Sequence, residues 1–356
     1  MRSLGNRWPG SLVGEMKKVK VEDAIGMVLG HDVTRIVPGK FKGPGYRKGH
    51  RIKREDIPGF LDLGKEHIYV IDVKEGELHE DDAALRLTHA FSGSGIVHAG
   101  PREGKMDLLA THAGLLAINI PLLERVNSQK GLSVATLHDN TPVQKGQVVV
   151  STRVIPLIIK ERVILRVEAL CGRDARRLVS IAPYRRMRIG LLVTGNEVYR
   201  GRIRDRSDDY VGVKVKHHGS TIVKKIVVPD EENRISRSLK ELADAGSELI
   251  LVTAGLSVDP DDVTVAGIKR AGATVGVYGS PVMPGSMFLY AHLDRIPVLG
   301  LPACVFHHTS TVFDLVFPRV LAGQEITRRD IIRLGHGGLC LGCNECRYPV
   351  CPFGKG

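Results

Sequence analysis

Apolar and polar residues along this chain follow two rhythms, and the change between them falls near residue 185. Beyond it, continuous apolar runs alternate with stretches whose apolar residues recur every three or four positions. MRIGLLVT (187–194) predicts a buried strand, TIVKKIVV (221–228) a second, ELILVTA (248–254) a third and ATVGVYG (273–279) a fourth. Between them, EENRISRSLKELADAG (231–246) sets Ile235, Leu239 and Leu242 on one helical face, with Asp230 placed to cap its start and Gly246 its end. DVTVAGIKRAG (262–272) predicts a shorter helix. DDYVGVKVKHHG (208–219) has Val211, Val213 and Val215 at a period of two, which argues for strand without deciding it. SMFLYAHLDRIPVLGL (286–301) predicts a strand pair turning at His292 to Arg295, and HHTSTVFDLVFPRVLAG (307–323) a helix that Pro318 should kink or shorten.

Before residue 185 the pattern is shorter and more broken. KVEDAIGMVLG (20–30) and HEDDAALRLTHAFSG (79–93) predict helices, the second with Ala84, Leu87 and Phe91 on one side. EHIYVIDV (66–73), QVVVSTRVIPLII (147–159) and ERVILRVEAL (161–170) favour strands. The expected organisation is therefore a leader over 1–15, disordered or preceding a true start at Met16, then a mixed α+β, β-rich region over 16–185, either one module or two joined near 92–104. An α/β domain over 186–326 and a Cys-rich tail over 327–356 follow. In the α/β domain, strands alternating with helices predict a mostly parallel sheet with helices on both faces.

Ligands of such sheets sit beyond the carboxyl ends of the strands. There the sequence places Gly195-Asn196-Glu197, Pro229-Asp230 and Gly255-Leu-Ser257-Val-Asp259-Pro-Asp261-Asp262. One acidic loop is ordinarily a solvated turn; three at successive strand ends point to a site. Backbone N–H groups near Gly195, Gly255 and Ser257 suit a phosphate or another polar edge. Glu197, Asp230, Asp261 and Asp262 are hard oxygen donors, of which one or two suit magnesium; without a cation they would repel an anionic ligand. Asp205 and Ser207, on the following turn, suit either substrate contact or a helix cap.

Composition narrows the partner. A net charge of +12 and pI near 9.5 favour anions. The 5% aromatic content and the lack of a nucleic-acid-binding signature make nucleic acid a poor candidate and a phosphorylated small molecule a better one. No apolar stretch approaches a bilayer span and no signal-peptide core is visible, so a cytoplasmic protein without a membrane partner is expected.

Taken together, VTGNEVYRGRIRDRSDDY (193–210), VVPDEE (227–232), TAGLSVDPDDVT (253–264) and MPGSMFLYAHLDRIPVLGLPA (283–303) resemble, in order, the motifs of the molybdopterin-binding domain shared by MoeA and MogA types of molybdenum-cofactor biosynthesis protein. KVEDAIGMVLGHDVTRIV near the start resembles the MoeA N-terminal segment. The resemblance implies molybdopterin or its adenylylated form as ligand, molybdate as co-substrate and magnesium as cofactor. It implies Thr194, Gly195, Asn196, Asp205, Ser207, Thr253, Gly255, Ser257, Pro284, Gly285, Gly300 and Pro302 around the ligand, with Glu197, Asp230 and Asp262 as catalytic groups and Asp261 with Asp262 on the metal. Molybdopterin molybdenumtransferase activity is the first expectation. Adenylyl transfer, or a non-catalytic carrier or sensor, are the alternatives, and a homo-oligomer is left open. The chain also departs from the family: FKGPGYRKGHRIKRED (41–56) stands where MoeA types have S-A-M-D-G-Y-A-V, Ser286 replaces the lysine of PGK, and GLPGNP has become Gly300-Leu-Pro-Ala-Cys304-Val. These changes are compatible with pterin binding and weigh against molybdate insertion.

Four of the six cysteines lie in the last 17 residues as Cys340-x2-Cys343-x2-Cys346-x4-Cys351-Pro352. This is a bacterial ferredoxin-like run with one extra residue in its last interval. In a chain without an export signal, it predicts an iron–sulfur cluster or zinc rather than disulfides. Cys171 and Cys304 are isolated and read as small buried hydrophobes.

Overall fold

Near the start of the chain, HIYVI (67–71) buries Ile68, Val70 and Ile71, and two shorter runs pair antiparallel with it. The computed structural model describes residues 16–37, 41–253 and 263–355. It divides into two compact units, the first taking most of the chain up to Ile181, the second Ala113–Leu116, Asn140–Val143 and everything from Ala182.

In the first unit β1 (Met16–Lys20) and β2 (Val28–Leu29) flank β3 (His67–Ile71), over a core of Val21, Leu29, Phe60, Ile68 and Val70. The segment expected as a helix from residue 20 is instead a single 3₁₀ turn, Val21–Ala24, followed by β2; Val28 and Leu29 pair with Ile71 and Val70, and tertiary pairing overrides the local helical pattern. Strands β4 (Ile96–Arg102), β5 (Lys105–Ala110), β6 (Leu132–Thr136) and β7 (Val148–Val154) form an antiparallel sheet in the order β6-β7-β5-β4. Helix α1 (Glu80–Phe91) forms as predicted. The ERVILRVEAL segment is a second correction: residues Glu161–Arg173 form helix α2, burying Ile164, Val167 and Cys171 at helical spacing. Its β-branched residues favour strand locally. Burial of that helical stripe outweighs the preference, and Arg86 on α1 adds to it, donating to both carboxylate oxygens of Glu168 (2.9 and 2.8 Å) and to Glu161 (2.6 Å), two turns apart on the helix.

The second unit is the α/β domain. Strands β8 (Arg188–Thr194), β9 (Thr221–Val228), β10 (Leu249–Thr253), β11 (Thr274–Tyr278), β12 (Leu289–Leu293) and β13 (Ile296–Leu301) form one sheet in the order β9-β8-β10-β13-β12-β11. The first four in that order are parallel, and the β11 to β13 region is antiparallel. Alternation sorts the side chains: Ile189, Leu191, Val193, Leu249, Leu251 and Leu299 enter one core, while Leu192, Ile250, Val252 and Val298 enter the other. Helices α3 (Glu232–Asp244) and α4 (Thr264–Arg270) close the second face, and α5 (Val312–Leu321) the first. The ambiguous 208–219 stretch is helical, a π turn over Asp208–Gly212 running into a short helix over Val213–His217.

Helix α5 is not shortened at Pro318, which lies inside it. Proline has no N–H for the carbonyl four residues back, which belongs to Asp314. The Tyr348 hydroxyl, from the C-terminal tail, donates to that carbonyl at 3.0 Å and satisfies it. Among the described residues, no helix is long and apolar enough to cross a membrane.

Candidate functional site

Strand register places the predicted site. Thr194 lies beside Val228, Val193 beside Thr253, and Thr253 beside Leu301, so β8, β9, β10 and β13 end at one edge. Tyr278 pairs with Leu289 and Leu289 with Gly300, which brings the β11–β12 connection, holding Pro284 and Gly285, to the same edge. From β8 the chain steps to β9 on one side, then crosses to β10 on the other. The switch of direction falls between β8 and β10, where open α/β sheets form their ligand crevice.

Thr194 is 2% exposed, and its hydroxyl lies 3.2 Å from that of Thr264, the first residue of α4. The Thr253 hydroxyl is buried and has no hydrogen-bond partner among the described residues. The next nine residues, with Gly255, Ser257, Asp261 and Asp262, lie outside the described residues.

After β8 the turn at Gly195-Asn196-Glu197 is fixed from within the protein. The Gly195 N–H donates to Val228 O at 3.2 Å, and the Asn196 N–H to Asp230 Oδ2 at 2.9 Å. The Gly195 amide, expected to be free for an anion, is thus engaged. Asp230 does not cap α3, whose N-cap residue is Glu231; it ties the end of β9 to the turn after β8. The Glu197 side chain is exposed and forms no hydrogen bond or ion pair among the described residues.

Asp205 and Ser207 are held by a residue that the sequence pattern does not single out. Lys225 Nζ pairs with Asp205 at 2.7 Å and with Asp208 at 2.5 Å, and lies 3.4 Å from Ser207 Oγ; Asp205 in turn accepts from Ser207 N–H at 2.8 Å. Burial works against ionisation of Asp205, but the Lys225 ammonium and Ser207 outweigh it and hold the carboxyl below its usual range. Ser207 is fully buried. The pair organises the turn, as a cap would. Lys225 lies in a strand of alternating pattern, and nothing in that pattern distinguishes it from a solvated lysine.

Gly285 packs so closely on the start of α5 that a Cβ there would come within 2.7 Å of Val312 Cβ, and its φ is +139°. Only glycine fits this turn. Gly300 is a partner of both Val252 and Leu289 inside the sheet. Pro302 is buried and accepts from Val305 N–H at 3.0 Å, and burial pushes the Cys304 thiol up. Among the described residues no group of three or more His, Cys, Asp or Glu side chains is assembled for a metal ion. That applies to Cys340, Cys343, Cys346 and Cys351 as well as to the acidic edge.

Residues 190–322 match the family described as a probable molybdopterin binding domain. The resemblance drawn from the four ordered motifs is borne out over this domain. Residues 18–72 match a domain of unknown function (DUF8806). A CinA-like protein of Geobacter sp. is 34% identical over 88 residues, covering 25% of this chain and 21% of that protein; the chain thus spans about a fifth of that relative's length. Among solved structures, the molybdopterin biosynthesis enzyme MoaB of Thermus thermophilus is 19% identical, covering 39% of this chain and 98% of its own, with a TM-score of 0.33. The molybdopterin biosynthesis MoeA protein of Pyrococcus horikosii is 13% identical, covering 87% of this chain and 75% of its own, also with a TM-score of 0.33.

Proposed function

We propose that the molybdopterin-binding domain takes a phosphate- or nucleotide-bearing molybdopterin at the carboxyl edge between β8 and β10. There the chain acts as a molybdopterin molybdenumtransferase-like enzyme, combining molybdate with the adenylylated ligand and releasing AMP. The observation that carries this reading is the switch point itself: the matched domain's motifs end there, and the buried Thr253 hydroxyl beside it has no partner among the described residues. An unpaired buried hydroxyl costs stability unless a ligand or neighbour satisfies it.

Magnesium binds through one or two carboxylates and completes its shell with phosphate oxygens and water. Glu197, exposed at the strand end and unpaired among the described residues, fits that donor chemistry, with Asp261 and Asp262 as further expected ligands. The ion would neutralise phosphate charge that otherwise repels these carboxylates. Asp230, through Asn196 N–H, holds the turn that presents Glu197.

A carrier is the second reading. It is favoured by the engagement of the Gly195 and Asn196 amides within the protein, which leaves that turn fewer donors for a reacting phosphate. Molybdate-dependent AMP release from adenylylated molybdopterin separates the two. The enzyme should turn over, and Glu197→Gln should lower the rate at least about a hundredfold with the ligand still bound. Stoichiometric binding without turnover would leave the carrier.

A further inference from the structure

The C-terminal cysteine run lies outside the pterin reading and is unexplained by it. Its two ends are fixed on the second unit. Cys340 N–H donates to Met283 O at 2.8 Å, beside the Pro284-Gly285 turn, and the Tyr348 hydroxyl donates to Asp314 O. Phe353 is 3% exposed within the core that also receives Cys340 and Cys351. Between these anchors, residues 341–346 make no backbone–backbone hydrogen bond among the described residues. Cys343 and Cys346 are exposed, with Cys346 Sγ 3.2 Å from Ser310 Oγ.

A stretch without its own hydrogen bonds, holding exposed thiols between two anchored ones, is the kind of segment that a metal cross-link orders. Gly342, at φ +62° with open space where a side chain would sit, gives the backbone the freedom by which a C-x2-C pair can face one ion. Unligated, the exposed thiols would be open to oxidation.

We infer that Cys340, Cys343, Cys346 and Cys351 form a thiolate metal centre, in which 341–346 close over the two anchored cysteines to hold zinc or an iron–sulfur cluster. The four thiols are not gathered in the structure, so closure of this stretch is part of the inference.

The test uses full-length protein purified without oxygen, with metal and acid-labile sulfide measured per chain. The expected result is about one zinc, or iron with matching sulfide and visible absorption, per chain. The Cys343→Ser, Cys346→Ser double variant should lose it at least about tenfold with an unchanged circular dichroism spectrum, since neither thiol is buried. Two results would overturn the inference: metal below about a tenth of an equivalent after reconstitution with zinc, or with iron and sulfide, or equal metal in the double variant. Molybdopterin binding measured on the same samples keeps the two readings apart. Its loss with metal retained counts against the pterin reading alone.

Discussion

At the scale of single residues, two buried oxygens make opposite demands. Glu80, 3% exposed at the start of α1, lies where a Cβ on Gly49 or Gly104 would come within 2.9 Å of one or other carboxylate oxygen. Burial, then the charge of Asp81, pushes its carboxyl up from the ordinary 4.5 to about 7. The folded state therefore holds the proton more tightly than the unfolded chain. Its contribution is fully present below pH 4.5 and is lost as pH rises through about 7. Urea titrations should show Glu80→Gln narrowing the stability difference between pH 5 and pH 8, by up to about 3 kcal/mol. Thr253 is the other case. If its hydroxyl serves the ligand, Thr253→Val should weaken molybdopterin binding about tenfold without lowering the unfolding free energy of the ligand-free protein in urea. Lost stability with unchanged affinity would assign the hydroxyl an internal partner.

At the scale of elements, α5 and the tail depend on one another. Pro318 leaves a carbonyl unpaired and Tyr348 pairs it, so a residue thirty positions later in the chain completes the helix. Tyr348→Phe should destabilise by about 1–2 kcal/mol in denaturant melts. Pro318→Ala restores the helical N–H, and in that background the same tyrosine change should cost less, a coupling that a double-mutant cycle reads directly. The helix expected to be kinked or shortened by its proline and the expected strand that forms α2 instead share a cause. Sequence patterns report local preference, and in both places distant contacts, the Tyr348 hydroxyl in one and the core around Ile164, Val167 and Cys171 in the other, act against it.

At the scale of the whole molecule, charge and topology act together. With a net +12 the chain attracts phosphate-bearing ligands over distances that salt shortens. Molybdopterin affinity should fall as ionic strength rises from about 0.05 to about 0.5 M, and calorimetry across that range checks it. An affinity insensitive to salt would locate recognition in uncharged contacts.

The sequence by itself determined the strand–helix alternation beyond residue 185, the two-faced sheet and the motifs at its strand ends, because buried parallel strands need continuous apolar runs and tight turns need particular residues. Glu197 was legible there as an acidic residue at a strand end. Only the tertiary structure decided that Asp230 holds a neighbouring turn instead of capping a helix, that Lys225 claims Asp205, and that Thr253 is left unpaired among the described residues. Those outcomes rest on which groups meet across strands that are far apart in the chain, and a one-dimensional pattern carries no record of such pairings.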